Sequence, residues 1–141
     1  MNWILKYWDE IGSGNILVSQ KVYKEYGKLV DDIRDPKGEW IFDEGRAERP
    51  IQFIETFCRQ SKGEWIGKPV QLQLFQKAYI SALFGFVHKD TGIRRFKETL
   101  FLVARKNGKS TMLAGIALYM LIADGEGGAE IYSVAKEKWR L

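Results

Sequence analysis

The first two-thirds of the chain carry apolar residues at the spacing of amphipathic helices. Three helices are predicted from this period, over residues 19–35, 50–62 and 72–85. The second is expected to begin near Pro50, because proline is tolerated in the first helical turn. Residues 1–15 are expected to be irregular, and residues 40–42 to anchor a connection. The apolar face of the third helix is predicted to carry Phe75, Tyr79, Ala82 and Leu83.

The pattern changes after a turn that is predicted at residues 88–92. Residues 99–104 form a continuous apolar run, which is typical of a strand buried on both faces of a parallel sheet. Residues 113–121 predict a helix that is apolar almost all round and therefore mostly buried. Residues 130–135 are the next strand candidate. The predicted fold class is α/β, a helical N-terminal portion followed by one βαβ unit. Because one unit cannot cover a parallel sheet, the domain is expected to be incomplete.

Between the predicted strand and helix lies the sequence ARKNGKST, residues 104–111. It fits the second half of the phosphate-binding pattern G-x-x-x-x-G-K-[ST], with Gly108, Lys109 and Ser110 at the last three positions. Val103 stands where the pattern has its first glycine, so the entrance of the loop is expected to differ. The setting between an apolar strand and an apolar helix predicts a nucleotide site. An ordinary strand-to-helix turn with exposed lysines is the alternative.

Each residue of a phosphate-binding loop has a physical task. Backbone N–H groups around Gly108 would face the phosphates, and the following helix would add the partial positive charge of its N-terminus. Lys109 would reach the β- and γ-phosphates, and Ser110 would coordinate Mg²⁺. Arg105 is either a catalytic cation at the γ-phosphate, alongside Lys109, or a solvated loop residue. The predicted nucleotide-binding residues of the loop are Lys106, Asn107, Gly108, Lys109, Ser110 and Thr111.

The formal net charge of the chain is +4, and its distribution matters more than its size. Residues 88–110 hold seven Lys or Arg against two acids, so this segment carries more than the whole surplus. One interpretation is a solvated loop with lysines on an edge strand. The other is an anion site for nucleotide or nucleic-acid phosphates.

Composition narrows the class of protein. Hydrophobic residues make up 45% of the chain, which is typical of a globular body. The longest apolar stretch, residues 112–123, is shorter than the roughly 20 residues that a spanning helix needs, and the N-terminus is a poor signal peptide. A lone cysteine, Cys58, excludes an internal disulfide framework and favours a reducing cytoplasm.

The sequence ARKNGKST resembles the deviant Walker A loop of the large terminase subunit of tailed bacteriophages, the ATPase that drives DNA into procapsids. Upstream, Phe75-Gln76 resembles the family's aromatic-Gln pair, which is associated with adenine recognition. The resemblance covers roughly residues 45–135. Two positions depart from the family: Leu74 replaces a frequent proline before the pair, and Lys106 replaces a frequent glutamine.

This resemblance implies ATP and Mg²⁺ as cofactors, with Gln76 at the adenine, Lys109 and Ser110 at the phosphates and metal, and Arg105 as a γ-phosphate sensor. It implies a P-loop ATPase of the ASCE-like type that acts on double-stranded DNA with a portal protein and a small terminase subunit. A homo-oligomer in the assembled motor and the cytoplasm of the bacterial host are further expectations.

The resemblance also sets the expected domain organisation. Residues 1–70 are predicted to be a helical lead-in, and residues 71–141 the start of the ATPase domain, cut before its Walker B strand and nuclease. The chain alone is then expected to bind nucleotide weakly without hydrolysing it. Two alternatives stay open, another P-loop ATPase of helicase-like type and a non-catalytic basic module that binds DNA or has a structural role.

Overall fold

The structure is a computed structural model that describes residues 1–60, 64, 66–101 and 109–125. Within these ranges it has five helices and two short strands. In chain order they are α1 (Trp3–Gly12), α2 (Gln20–Arg34), β1 (Trp40–Phe42), α3 (Glu44–Phe57), α4 (Leu74–Gly85), β2 (Phe86–His88) and α5 (Lys109–Ile122). The strands pair antiparallel, with Ile41 opposite Val87. None of the helices in the described ranges is long and apolar enough to cross a membrane.

Two apolar clusters hold these elements together. The larger joins α3, α4 and α5 through Ile51, Ile54, Val70, Leu72, Ile80, Phe84, Met112, Ile116 and Tyr119. The smaller joins α1, α2 and β2 through Ile4, Val30 and Phe86. Helix α4 contributes to both, since Ala82 packs against the smaller cluster. The contacts of α1 and α3 with α4 cross the predicted boundary between residues 70 and 71, which stays a prediction.

Helix α2 confirms the first predicted helix. The Ser19 hydroxyl accepts a hydrogen bond from the backbone N–H of Val22 at 3.2 Å, which caps the N-terminus. Asp35 follows the last helical residue, at the predicted stop. The predicted turn at residues 88–92 is also present, with the Gly92 amide donating to the His88 carbonyl at 2.9 Å.

Helix α1 is a correction, because residues 3–12 were expected to be irregular. The Asn2 side chain accepts a hydrogen bond from the Leu5 amide at 3.1 Å and caps the helix. Ile4 and Tyr7, which are three residues apart and share one face of the helix, are both buried in the core. The helix is short, so packing of this face stabilises it more than its own hydrogen bonds do.

Trp3 anchors α1 to the centre of the fold. Its indole Nε1 donates to a carboxylate oxygen of Glu48 on α3 at 2.6 Å. The Lys77 ammonium of α4 lies 4.2 Å from the centroid of the Trp3 ring, within the range of a cation–π interaction. The same lysine lies 3.6 Å from a carboxylate oxygen of Glu55. The N-terminal helix is therefore tied to both α3 and α4.

Helix α3 begins earlier than predicted. The Asp43 carboxylate accepts a hydrogen bond from the Arg46 amide at 3.1 Å, and Glu44 stands in the first turn. A cap and an acidic residue both favour a helix N-terminus. Pro50 lies inside the helix and is buried, so the predicted start at Pro50 is wrong. The local cap outweighs the hydrogen bond that proline removes from a helix interior.

Helices α4 and α5 confirm two predicted helices. The predictions of which of their residues are buried are wrong in part. The predicted face of α4, which includes Tyr79 and Leu83, is only half-buried, whereas Gln76, Ile80 and Phe84 are buried. Helix α5 is not mostly buried, because part of its surface remains exposed although apolar. Its exposed apolar residues are Leu113, Leu118, Leu121 and Ile122.

The predicted α/β fold class is confirmed only in that the described residues combine helices with a small two-stranded sheet. The predicted parallel βαβ unit is not confirmed. Residues 99–101 form no strand, and the Leu100 side chain is 79% exposed, so the buried-strand prediction is wrong there. Residues 102–104 and the strand candidate 130–135 lie outside the described residues. The described strands β1 and β2 were not predicted, because three-residue strands carry too short a period to recognise.

Ser81 gives a prediction for the stability of α4. Its side chain is fully buried, and its Oγ has no hydrogen-bond partner among the described residues. Replacing it with alanine removes an unpaired polar atom, so we expect Ser81→Ala to raise the free energy of unfolding by about 1 kcal/mol. Chemical denaturation measures this. Ser19→Ala is the matched control and is expected to lose about 1 kcal/mol with its cap; a loss at both positions would contradict the prediction.

Candidate nucleotide site

The predicted loop leads into the N-terminus of α5. Lys109 is the first described residue of this helix, followed by Ser110, which is exposed, and Thr111, which is half-buried. The first amides of a helix have no partners within the helix and attract anions. The exposed Ser110 hydroxyl is an oxygen donor of the kind that Mg²⁺ accepts beside phosphate oxygens and water. These residues therefore fit a polyphosphate with its metal.

Four predicted site residues belong to the loop itself. Arg105, Lys106, Asn107 and Gly108 lie outside the described residues. Their roles stay predictions. The structure brings together Ser110 and Thr111, which share the first turn of α5.

Helix α5 packs against the rest of the fold through one face. Met112 is fully buried, and Ile116 and Tyr119 are nearly so. At Gly115 the helix comes so close to α3 that an added Cβ would lie 2.8 Å from Cγ1 of Ile54. The absence of a side chain at Gly115 thus permits the close approach of the two helices.

Gln76 is a buried polar residue on the same face of α4 as Ile80. It is 5% exposed and occupies the third position of the helix, one turn before Ile80 of the larger cluster. Its Oε1 accepts a hydrogen bond from the Gln73 amide at 2.9 Å, as in a capping box. Gln76 therefore stabilises the start of α4, whatever it does for a nucleotide.

Phe75 lies in different surroundings from its neighbour Gln76. With Tyr79 and Phe101 it lines a cavity of about 650 Å³ between α2, α4 and residues 96–101. The Tyr79 and Phe101 rings stack 4.4 Å apart, and the Tyr79 hydroxyl is 2.7 Å from Oγ1 of Thr99. Burial raises the pKa of Tyr79, although this hydrogen bond opposes the shift. Phe75 and Gln76, the two residues of the predicted adenine motif, therefore face different sides of α4.

The basic segment is less available to anions than its composition suggests. Arg94 donates to a carboxylate oxygen of Asp124 at 2.7 Å, and Arg95 donates to one of Asp32 at 2.8 Å. Two of its seven cations are thus neutralised inside the fold. Lys89 and Lys97 are exposed.

The comparisons with known proteins match this part of the chain to one family. The family described as "Terminase large subunit, ATPase domain" matches residues 74–139, which include α4, the loop and α5. Residues 74–139 are similar to the ATPase domain of a terminase large subunit. The large subunit of the terminase of Enterobacteria phage HK97 is 40% identical over 77 residues. The predicted resemblance is confirmed.

The terminase match is partial in length. It covers 55% of this chain, and the chain spans only 14% of the HK97 protein. No solved structure matches significantly. Sequence reasoning missed the ion pair between Arg94 and Asp124 in this segment. No local signal joins them, because the two residues are distant in sequence and meet only in the folded chain.

Proposed function

We propose that this chain forms the ATP-binding part of a DNA-packaging terminase motor. The observation that carries the proposal is the terminase ATPase match, which runs through the ARKNGKST loop into α5. Helix α5 includes Lys109 and Ser110, and the helix that follows a phosphate-binding loop adds the partial positive charge of its N-terminus.

Each residue of the proposed site has a stated role. Lys109 holds the β- and γ-phosphates, and Ser110 ligates the Mg²⁺ that the phosphates also bind. Thr111 contacts the α-phosphate, and Arg105 acts on the γ-phosphate. The loop residues Lys106, Asn107 and Gly108 complete the cradle. Gln76 contacts the adenine.

The proposed partners follow from the family. Double-stranded DNA is the substrate that the motor moves, and the portal protein and small terminase subunit are its protein partners. We propose that the parent protein works as a homo-oligomer in the cytoplasm of an infected bacterium. Of the alternatives, the helicase-like ATPase is disfavoured by the terminase match. The basic DNA-binding module is disfavoured because Arg94 and Arg95 are paired.

Titration with Mg·ATP tests the proposal. We expect Lys109→Ala to weaken ATP binding by at least about tenfold, or about 1.4 kcal/mol, because a charge-assisted contact to phosphate is lost. Isothermal titration calorimetry of the wild-type chain and the variant measures the difference.

Lys89→Ala is the matched control for this titration. Lys89 is an exposed lysine in the turn at residues 88–92, so its removal changes the net charge equally. It is expected to leave ATP affinity unchanged. Equal ATP affinity in the wild type and the Lys109 variant would refute the site. DNA binding that weakens with added salt, in a chain that does not bind ATP, would favour the alternative of a basic DNA-binding module.

A further inference from the structure

Arg94 and Asp124 form an ion pair at the end of α5 that is opposite the proposed nucleotide. Arg94 Nη1 donates to Asp124 Oδ2 at 2.7 Å, and the two side chains are 30% and 24% exposed. The Arg94 guanidinium also lies 5.2 Å from the centroid of the Phe84 ring. That ring meets the Tyr119 ring of α5 edge-on at 5.3 Å. Arg94 therefore contacts Asp124, two residues beyond the end of α5, directly, and it reaches Tyr119 of α5 through Phe84.

The charge of Arg94 suits the end of the helix where it lies. The last turn of α5 contains no basic residue, although the carbonyls there carry partial negative charge. The amides of Ala123 and Asp124 both donate to the Tyr119 carbonyl, at 2.8 and 3.0 Å, which holds Asp124 close to the helix end. Arg94 thus brings a cation from a distant segment to a place where the helix has none.

Other described contacts of α5 include the apolar contacts of Met112, Ile116 and Tyr119 and the close packing of Gly115 on Ile54, and hydrophobic contact is not directional. A hydrogen-bonded ion pair has a defined distance and angle. With 14 residues, α5 is about 21 Å long, and a tilt of about 5° at one end would move the other end by about 2 Å.

We propose that Arg94 is a positioning residue for nucleotide binding. Through Asp124 it holds α5 at the tilt and register in which the first turn, with Lys109 and Ser110, meets the polyphosphate. Arg94 itself does not touch the nucleotide. This inference rests on the proposed function, because it requires that the first turn of α5 bind phosphate.

The experiment compares the wild-type chain with Arg94→Ala. Loss of the ion pair is expected to weaken Mg·ATP binding by about tenfold, since displacement of about 1 Å is enough to impair a built site. Hydrogen exchange of the α5 amides is expected to become faster in the variant without nucleotide. Calorimetry gives the affinity, and mass spectrometry gives the exchange.

Arg95→Ala is the matched control. Arg95 forms an equally short ion pair with Asp32 of α2, at 2.8 Å, with side chains that are 31% and 37% exposed. It also lies near the rings of Phe86 and Phe96. Its removal is expected to lower the melting temperature as much as removal of Arg94 does, but to leave ATP affinity and α5 exchange unchanged.

The charge-exchanged pair adds a test of rescue. Arg94→Asp combined with Asp124→Arg is expected to recover most of the ATP affinity that either single change removes. Should Arg94→Ala not fold, Arg94→Lys, which keeps the charge without the planar fork, makes the same comparison with Arg95→Lys.

The outcomes separate this inference from the proposed function. Equal losses of ATP affinity in the Arg94 and Arg95 variants would overturn the positioning role, provided that Lys109→Ala still reduces binding. A wild-type chain that binds ATP no better than Lys109→Ala would overturn both. A selective loss in the Arg94 variant, with rescue by the exchanged pair, supports the role.

Discussion

Gly85→Ala is expected to destabilise the chain by about 1–3 kcal/mol, the usual cost of adding an atom to a packed core. A Cβ at Gly85 would overlap Cε2 of Phe42 and lie 2.9 Å from Cζ of the same ring. It would also lie 3.0 Å from Cβ of Ala47, so movement of the Phe42 ring alone would not relieve the crowding. The clash falls where α4, β1 and α3 meet. Urea denaturation at equilibrium measures the loss.

Gly12→Ala is the control for this substitution. Gly12 also ends a helix, α1, and an added Cβ there meets nothing within 4 Å. The control is expected to be neutral or slightly stabilising, because alanine restricts the unfolded chain more than glycine does. Equal free energies of unfolding for the Gly85 and Gly12 variants would show that the close contact of Gly85 with Phe42 does not affect stability.

Ile54→Ala is expected to cost about 2–5 kcal/mol, the range for truncation of a fully buried aliphatic side chain. The cavity opens beside Gly115, whose missing Cβ would meet Cγ1, Cδ1 and Cγ2 of Ile54. All three atoms disappear in the variant. Gly115→Ala should therefore be unfavourable in the wild type and favourable in the Ile54→Ala background, where it fills part of the cavity and gains about 1 kcal/mol of helix propensity.

Four proteins measure this coupling: the wild type, the two single variants and the double variant. Their unfolding free energies form a thermodynamic cycle, which isolates the interaction between the two positions. The sign of the effect of Gly115→Ala is expected to reverse between the two backgrounds. Simple addition of the two single effects would contradict the close packing of α5 on α3.

The helical part of the fold could be predicted where one segment carries its own signals. Ser19 caps α2 and Asp35-Pro36 ends it, so neighbouring residues alone predict both boundaries of this helix. The terminase resemblance rested on such local motifs, and the family match confirms it.

The rest depends on residues that are distant in sequence. Trp3 stabilises α1 through Glu48 and Lys77, which no reading of residues 1–15 could supply. Strand β1 exists because β2 pairs with it across two helices. The ion pair of Arg94 with Asp124 could not be predicted, because the two residues lie 30 positions apart in sequence and meet only in the folded chain.

The ribbon of β1 and β2 also makes a closed loop of the chain. The two strands lie side by side, and the whole of α3 and α4 runs between them. A single cut at Gly67, an exposed residue between these helices, would therefore leave two pieces still held by the ribbon and by the facing surfaces of α3 and α4. We therefore expect that the protein can be divided there into complementing halves, one with helices α1 to α3 and the other with helices α4 and α5.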